Sequence, residues 1–313
     1  MWTGIRIVPD NVNIDFIGQR YIAYAFTAFL MIASIFLLTT KGLNYGIDFT
    51  GGTLIEVETA EVPDLSDLRE ELNNLNLGEI AIQEFGQPNH LLIRLPAQDG
   101  PPEVQTAAIN TVKDNLSSKY ENIDYRRVEF VGPQVGEELK VKGFYAVLFA
   151  ALGIMGYVWF RYEWQFGLSA VIAIAHDVIA VLGFMALTGK TFDLSTLAAV
   201  LMVAGFSIND TVVIFDRIRE ILRKFRKKAL GEVCNIAINE TLSRTIMTSL
   251  LTILALVALW VFGGEVIQGF VDALLFGYLV GTYSSIYVSS PLLLYLGVRP
   301  QEEKTNDIEE VSP

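Results

Sequence analysis

Six stretches of the chain, 21–40, 143–160, 164–187, 194–215, 245–264 and 266–296, are almost uniformly apolar. Each is long enough to cross a bilayer as a helix, which takes about 20 residues. The first carries no charge and is followed by no A-x-A site, and it exceeds the 7–15 residues of a signal-peptide core, which predicts a retained helix. The last contains Gly277 and Gly281 in a G-x-x-x-G spacing. Such a pair suits close helix packing, and it also fits an incidental small-residue face.

Between the first and second apolar stretches the pattern changes. Residues 52–58 alternate with a period of two, as a half-buried strand does. Residues 64–75 follow a proline, begin acidic, and place Leu65, Leu68, Leu72 and Leu75 on one helical face. Residues 78–85 and 90–95 read as strands about a Gly-Gln-Pro-Asn turn, 103–120 as an amphipathic helix and 124–131 as a final strand. The order β-α-β-β-α-β predicts a ferredoxin-like unit. The expected fold class is a polytopic α-helical membrane protein with six transmembrane helices, plus one external α+β ferredoxin-like (βαββαβ) domain between the first and second.

Composition sharpens the division. Hydrophobic residues make up 52% and charged ones only 19%, yet the net charge is −12. Residues 41–140 hold 18 Asp/Glu against 8 Lys/Arg, so −10 of that charge lies in one segment. An acidic balance of this kind argues against nucleic acid, whose binding rests on cations neutralising phosphates. Basic residues concentrate instead at 217–228, which predicts a cytoplasmic connection by the positive-inside rule; the same run suits lipid headgroups. The expected organisation is a cytoplasmic segment 1–20, a first span 21–40, an external domain 41–140, a five-helix membrane domain 141–296 with a basic cytoplasmic loop 216–244, and a cytoplasmic tail 297–313.

Cys234 is the only cysteine, which excludes an intrachain disulfide and a cysteine metal cluster. No nucleotide-binding or hydrolase motif occurs. No enzyme activity, cofactor or metal is therefore expected. His90, on a strand of the external unit, reads as a surface side chain.

Six short signatures occur in order: Gly46-Ile-Asp-Phe-Thr-Gly-Gly52; Val131-Gly-Pro-Gln-Val-Gly136 with Glu-Glu-Leu139; His176-Asp177; Ser207-Ile-Asn-Asp-Thr-Val-Val-Ile-Phe-Asp-Arg-Ile-Arg-Glu220; Ser243-Arg-Thr-Ile-Met-Thr-Ser249; and Gly281-Thr-Tyr-Ser-Ser285. Together they resemble the SecF family of the bacterial Sec translocon, within the resistance-nodulation-division superfamily, over nearly the whole chain. One departure is Phe206, where the family often has Tyr. The resemblance implies a proton-motive-force-driven accessory to preprotein export in the inner membrane. It would pair with a SecD-like subunit beside the SecYEG channel and the SecA motor, with 41–140 in the periplasm.

The ionisable residues inside the apolar stretches are the candidates for function, because an Asp at a helix centre costs roughly 2.5–3.5 kcal/mol on insertion scales. Asp210 lies six residues before Asp216, about 9 Å along a helix, and Arg244, expected to begin the next helix, could rise toward it. The resemblance places the relay Asp and Arg in these two motifs. Asn209 is a candidate partner inside the bundle. Asp177 could extend a proton path outward or serve packing, and its neighbour His176 points about 100° away. Thr248 either joins the relay or bonds a backbone carbonyl, and Ser207 is a possible accessory. Asp272 reads as a solvated helix-end residue. Two other functions fit the residues alone: a half-size exporter of lipid or small molecules, and a translocon scaffold that conducts no protons.

Overall fold

A computed structural model describes residue 9 and residues 12–298. Half of the expected segment 1–20, and all of the tail 297–313 but its first two residues, lie outside these residues. Among them are six helices long and apolar enough to span a membrane. They are α1 (Arg20–Thr40), α5 (Pro133–Arg161), α6 (Trp164–Thr188), α7 (Leu194–Lys224), α8 (Leu230–Phe262) and a last span made of α9 (Gln268–Ser284), a π-helical turn (Ser285–Ser289) and α10 (Ser290–Leu296). The π turn precedes Pro291, whose missing N–H leaves the carbonyl four residues back without its helical partner.

The inner helices are α6, α7 and α9, each with a long roster of small buried side chains. Their close approach has a steric origin. A Cβ on Gly277 would lie 2.2 Å from Val203 Cγ2, and one on Gly281 would lie 3.3 Å from Ser207 Cβ. The G-x-x-x-G pair is thus the packing face of α9 against α7. Outside, α1, α5 and α8 expose large apolar side chains such as Phe29, Phe36, Phe149, Leu251 and Leu254. This surface is suited to acyl chains.

The expected loop 216–244 is mostly helical: α7 runs on to Lys224, α8 begins at Leu230, and only 225–229 connects them. Both extensions are amphipathic, burying Ile218, Ile221 and Leu222 on one and Val233, Cys234, Ala237, Ile238 and Leu242 on the other. A one-sided apolar stripe is a helix signal that a search for continuous apolar runs passes over. Likewise α5 starts at Pro133, a residue suited to the first helical position.

Between α1 and α5, strands β2 (Gly52–Glu58), β3 (Ala81–Phe85), β4 (Gln87–Leu95) and β5 (Asp124–Val131) form one sheet in the order β3-β4-β2-β5, every pairing antiparallel. Helices α3 (Leu65–Asn73) and α4 (Pro102–Lys119) pack on it, and Ile55, Val57, Leu91, Ile93, Leu68, Leu72, Val112 and Leu116 form the core. The Asp64 side chain caps α3 by accepting from the Ser66 and Asp67 amides. Two short strands, β1 (Asn44–Tyr45) and β6 (Thr191–Phe192), pair in parallel, and a four-residue helix, α2 (Ile47–Thr50), follows β1.

This junction explains two of the signatures. Gly51 and Gly52 have φ of +70° and +113°, and a Cβ on Gly52 would lie 2.4 Å from the Leu95 carbonyl oxygen. A Cβ on Gly136 would lie 2.7 Å from the Gly51 nitrogen. The glycines at the start and end of the sheet unit therefore close on one another. Only residues without a side chain allow that approach.

Candidate functional site

The site is built on α7. Its first turn is capped twice: Asp193 accepts from the Thr196 amide at 2.8 Å, and Asp48, from α2, accepts from the Leu194 amide at 3.0 Å. Further along, Ser207 and Asp210 are three residues apart, hence neighbours on one helical face, and both are buried.

Ser207 donates its hydroxyl to Oδ2 of Asp177 on α6, and Ser284 of α9 donates to the same oxygen at 2.8 Å. The other oxygen, Oδ1, lies 2.9 Å from Nδ1 of His176. Asp177 is completely buried, and its carboxylate joins the three inner helices. Although their backbone positions diverge, His176 and Asp177 meet through their side chains. The His176 Nε2 is buried without a hydrogen-bond partner.

The inner helices also bury hydroxyls that the sequence reading did not single out. Ser169, Ser284, Ser285, Ser289 and Ser290 are all fully buried. Ser169 donates to the Ser289 carbonyl, and Ser289 and Ser290 both donate to the Ser285 carbonyl. These bonds satisfy backbone oxygens within and beside the π turn. The usable signal was four serines before a proline in an apolar span, since hydroxyls re-satisfy backbone groups that a proline frees in a membrane helix.

Asp210 is 2% exposed, and its Oδ2 has no hydrogen-bond partner. Arg244 stands near the middle of α8 rather than at its start, and it is exposed. Among the described residues no ion pair joins it to Asp210. Asn209 is exposed, not inside the bundle, because one residue along a helix turns the side chain by about 100°. Thr248 donates to the carbonyls of Arg244 and Thr245, so its hydroxyl serves the backbone. Phe206 stacks on Tyr278 with ring centroids 3.9 Å apart, which leaves a phenol beside the position. Asp272 is paired rather than solvated: it accepts from Lys190 and, at 2.9 Å, from Trp260 Nε1. Among the described residues no cluster of three or more His, Cys, Asp or Glu side chains is placed to hold a metal ion.

A six-span protein with carboxylates buried among its inner helices, and a βαββαβ unit after the first span, is a membrane transport subunit in architecture. Two family profiles match it: "Protein export membrane protein SecD/SecF, C-terminal" over residues 111–299 and "SecD/SecF GG Motif" over 36–61. The protein translocase subunit SecF of Rickettsia felis is 45% identical over 301 residues, 96% of this chain and 97% of its own. That of Rickettsia rickettsii is 46% identical over 290 residues, 92% of this chain and 94% of its own. The crystal structure of SecDF, a translocon-associated membrane protein from Thermus thermophilus, superposes with a TM-score of 0.83 at 36% identity. It covers 91% of this chain, which spans 39% of the longer SecDF chain. The chain belongs to the SecF family of protein translocase subunits. That makes it a multi-pass membrane accessory of Sec translocation rather than a lipid or small-molecule exporter.

Proposed function

We propose that the chain is the proton-responsive half of a SecD–SecF pair, driven by the proton-motive force to assist preprotein translocation and release beside SecYEG and SecA. The observation that carries this is Asp210: a carboxylate 2% exposed in a membrane span, with one oxygen unpartnered. A group so placed is costly when ionised and cheap when protonated, so access of water from one side or the other decides its charge. Ser207, one turn away, connects its helix face to Asp177. The proposed relay therefore runs Asp210, Ser207, Asp177, with His176 behind it. Arg244 modulates the charge of Asp210.

Asn209 and Arg244 are exposed at membrane level, where lipid tails offer polar groups no partner. A SecD-like subunit covering this face supplies one and completes the path. Orientation follows from charge: Arg161, Arg217, Arg219, Arg223 and Lys224 gather at one end of the bundle and the acidic sheet unit lies at the other. The basic end is cytoplasmic, both termini lie on that side, and the sheet unit faces the periplasm of the bacterial inner membrane.

The test is Asp210→Asn, which keeps the shape and removes the titration. In membrane vesicles with the partner subunit, proton flux and export should both fall while the protein accumulates normally. Asp210→Glu should restore part of each. Unchanged flux and export in the Asn variant would overturn the relay, and a surviving SecD contact with normal export would leave a scaffold.

A further inference from the structure

At the basic end of the bundle, where α5 turns into α6, α7 presents a stripe at 216, 219, 220, 223 and 224. This is the i, i+3, i+4, i+7, i+8 spacing of one helical face. Together with Arg161 from the last turn of α5, the stripe lines a concavity of about 420 Å³. Arg161 pairs with Asp216 at 3.2 Å. Glu220 is taken by Arg217, whose Nε also holds Glu240. Among the described residues, that leaves Arg219, Arg223 and Lys224 in one hollow without a carboxylate partner.

The hollow is built, not merely crowded. The guanidinium carbons of Arg161 and Arg219 lie over the same ring, Tyr162, at 5.0 and 5.2 Å. That ring is 5% exposed and packs against Phe166 and Phe215. Arg219 also donates to the Arg161 carbonyl at 3.3 Å. Arg161 keeps Asp216 as its counter-ion, whereas Arg219, Arg223 and Lys224 repel one another until an anion enters. Beside them, Phe160 is 95% exposed, and Trp159 and Trp164 are exposed by more than half. Exposed aromatics of this kind belong at headgroup level.

We propose that this hollow is a binding site for one anionic phospholipid, its phosphate held by Arg219, Arg223 and Lys224 and its acyl chains lying along Trp159, Phe160 and Trp164. Charge selects the headgroup, and the aromatic rim selects a lipid over a soluble anion. Guanidinium groups suit phosphate because they present paired donors. The site stands independently of the proton relay.

The experiment uses the full chain in phosphatidylcholine nanodiscs titrated with brominated phosphatidylglycerol, reading the quenching of tryptophan fluorescence. Trp159 and Trp164 lie within three residues of Arg161 in the chain, Trp260 sits at the far end of α8, and Trp2 is replaced by Phe so that it does not contribute. Brominated phosphatidylglycerol should quench at a mole fraction well below that needed by brominated phosphatidylcholine. The double variant Arg223→Gln/Lys224→Gln should raise that fraction roughly tenfold or more, and Arg223→Lys/Lys224→Arg should retain most of the preference. Lys227→Gln/Lys228→Gln, of equal charge change in the adjacent loop, should move it less than about twofold. Equal losses in both Gln pairs would overturn the proposal in favour of a diffuse charge effect. Removal of the preference by inorganic phosphate at constant ionic strength would overturn it in favour of a free anion.

Discussion

The Asp48 carboxylate accepts a hydrogen bond from the Leu194 amide at 3.0 Å, across 146 residues of chain. It joins the segment leading into the sheet unit to the first turn of the helix that carries Ser207 and Asp210. An anion at a helix N-terminus is stabilising through both the amide and the macrodipole. Asp193 already caps the same turn, so Asp48 contributes attachment more than helix formation. The Asp48→Ala variant should lose about 0.5–2 kcal/mol and expose the 189–195 amides to hydrogen exchange, while Asp48→Asn, still an acceptor, should lose less. Equal protection in wild type and Asp48→Ala would show that the contact is incidental.

Asp177 depends on its donors. Ser207 and Ser284 both donate to its Oδ2, and a hydrogen bond to a charged group contributes about 1.5–3 kcal/mol. Ser207→Ala should therefore destabilise the bundle more than a same-volume change at an exposed serine. The double Ser207→Ala/Ser284→Ala should be destabilised further than either single variant and should reduce the protection of the α6 amides around Asp177 against hydrogen exchange. Equal protection in the double variant and the wild type would show that the two hydroxyls do not hold this carboxylate in place.

Much of this molecule was legible as periodicity. The alternation at 52–58 and the leucines at 65, 68, 72 and 75 led directly to β2 and α3, and the β-α-β-β-α-β succession matches the order of the long elements between α1 and α5. The spans were found but undersized, since α7 and α8 continue as amphipathic helices beyond their apolar runs. The short elements β1, α2 and β6 were not legible, because β1 and β6 exist only by pairing with each other across more than a hundred residues, and α2 is a single turn of four residues. At the site, Asp210 and Asp177 were named as ionisable residues in an apolar span, and Ser207 only as a possible accessory. The side on which Asn209 and Arg244 face, and the hydroxyl of Ser284, required the packing of helices that no single segment encodes.

The two helices over the sheet are joined by Lys119 and Glu71. The ammonium, hydrogen-bonded to the carboxylate, holds Glu71 below its ordinary 4.5, and the carboxylate holds Lys119 above its ordinary 10.5. For Glu71 the depressed value means that its stabilising contribution is present above pH 4.5 and disappears as pH falls through the folded value. For Lys119 the contribution is present below 10.5 and disappears as pH rises through its own. Both side chains are about one-third exposed, so the pair contributes at most about 1 kcal/mol. Protection of the α4 amides against hydrogen exchange, corrected for intrinsic rates, should weaken below pH 4.5 in the wild type and less so in Glu71→Gln. A parallel acid response in both would assign the effect to other carboxylates.

The approach of α9 to α7 rests on Gly277, whose absent Cβ would lie 2.2 Å from Val203 Cγ2 and 2.9 Å from Cγ1. Overpacking a close-packed core costs typically 1–3 kcal/mol, so Gly277→Ala should destabilise the bundle in that range. It should also shift Ser284, on the same helix, away from Asp177. Val203→Ala removes the methyls that an added Cβ would strike, at the cost of a small void. The combination Gly277→Ala/Val203→Ala should therefore be more stable than the sum of the single changes by about 1 kcal/mol or more. Unfolding equilibria of the four proteins in mixed micelles measure that coupling directly. Strict additivity would show that α9 can slide past Val203, and would remove the steric basis for the placement of Ser284 against Asp177.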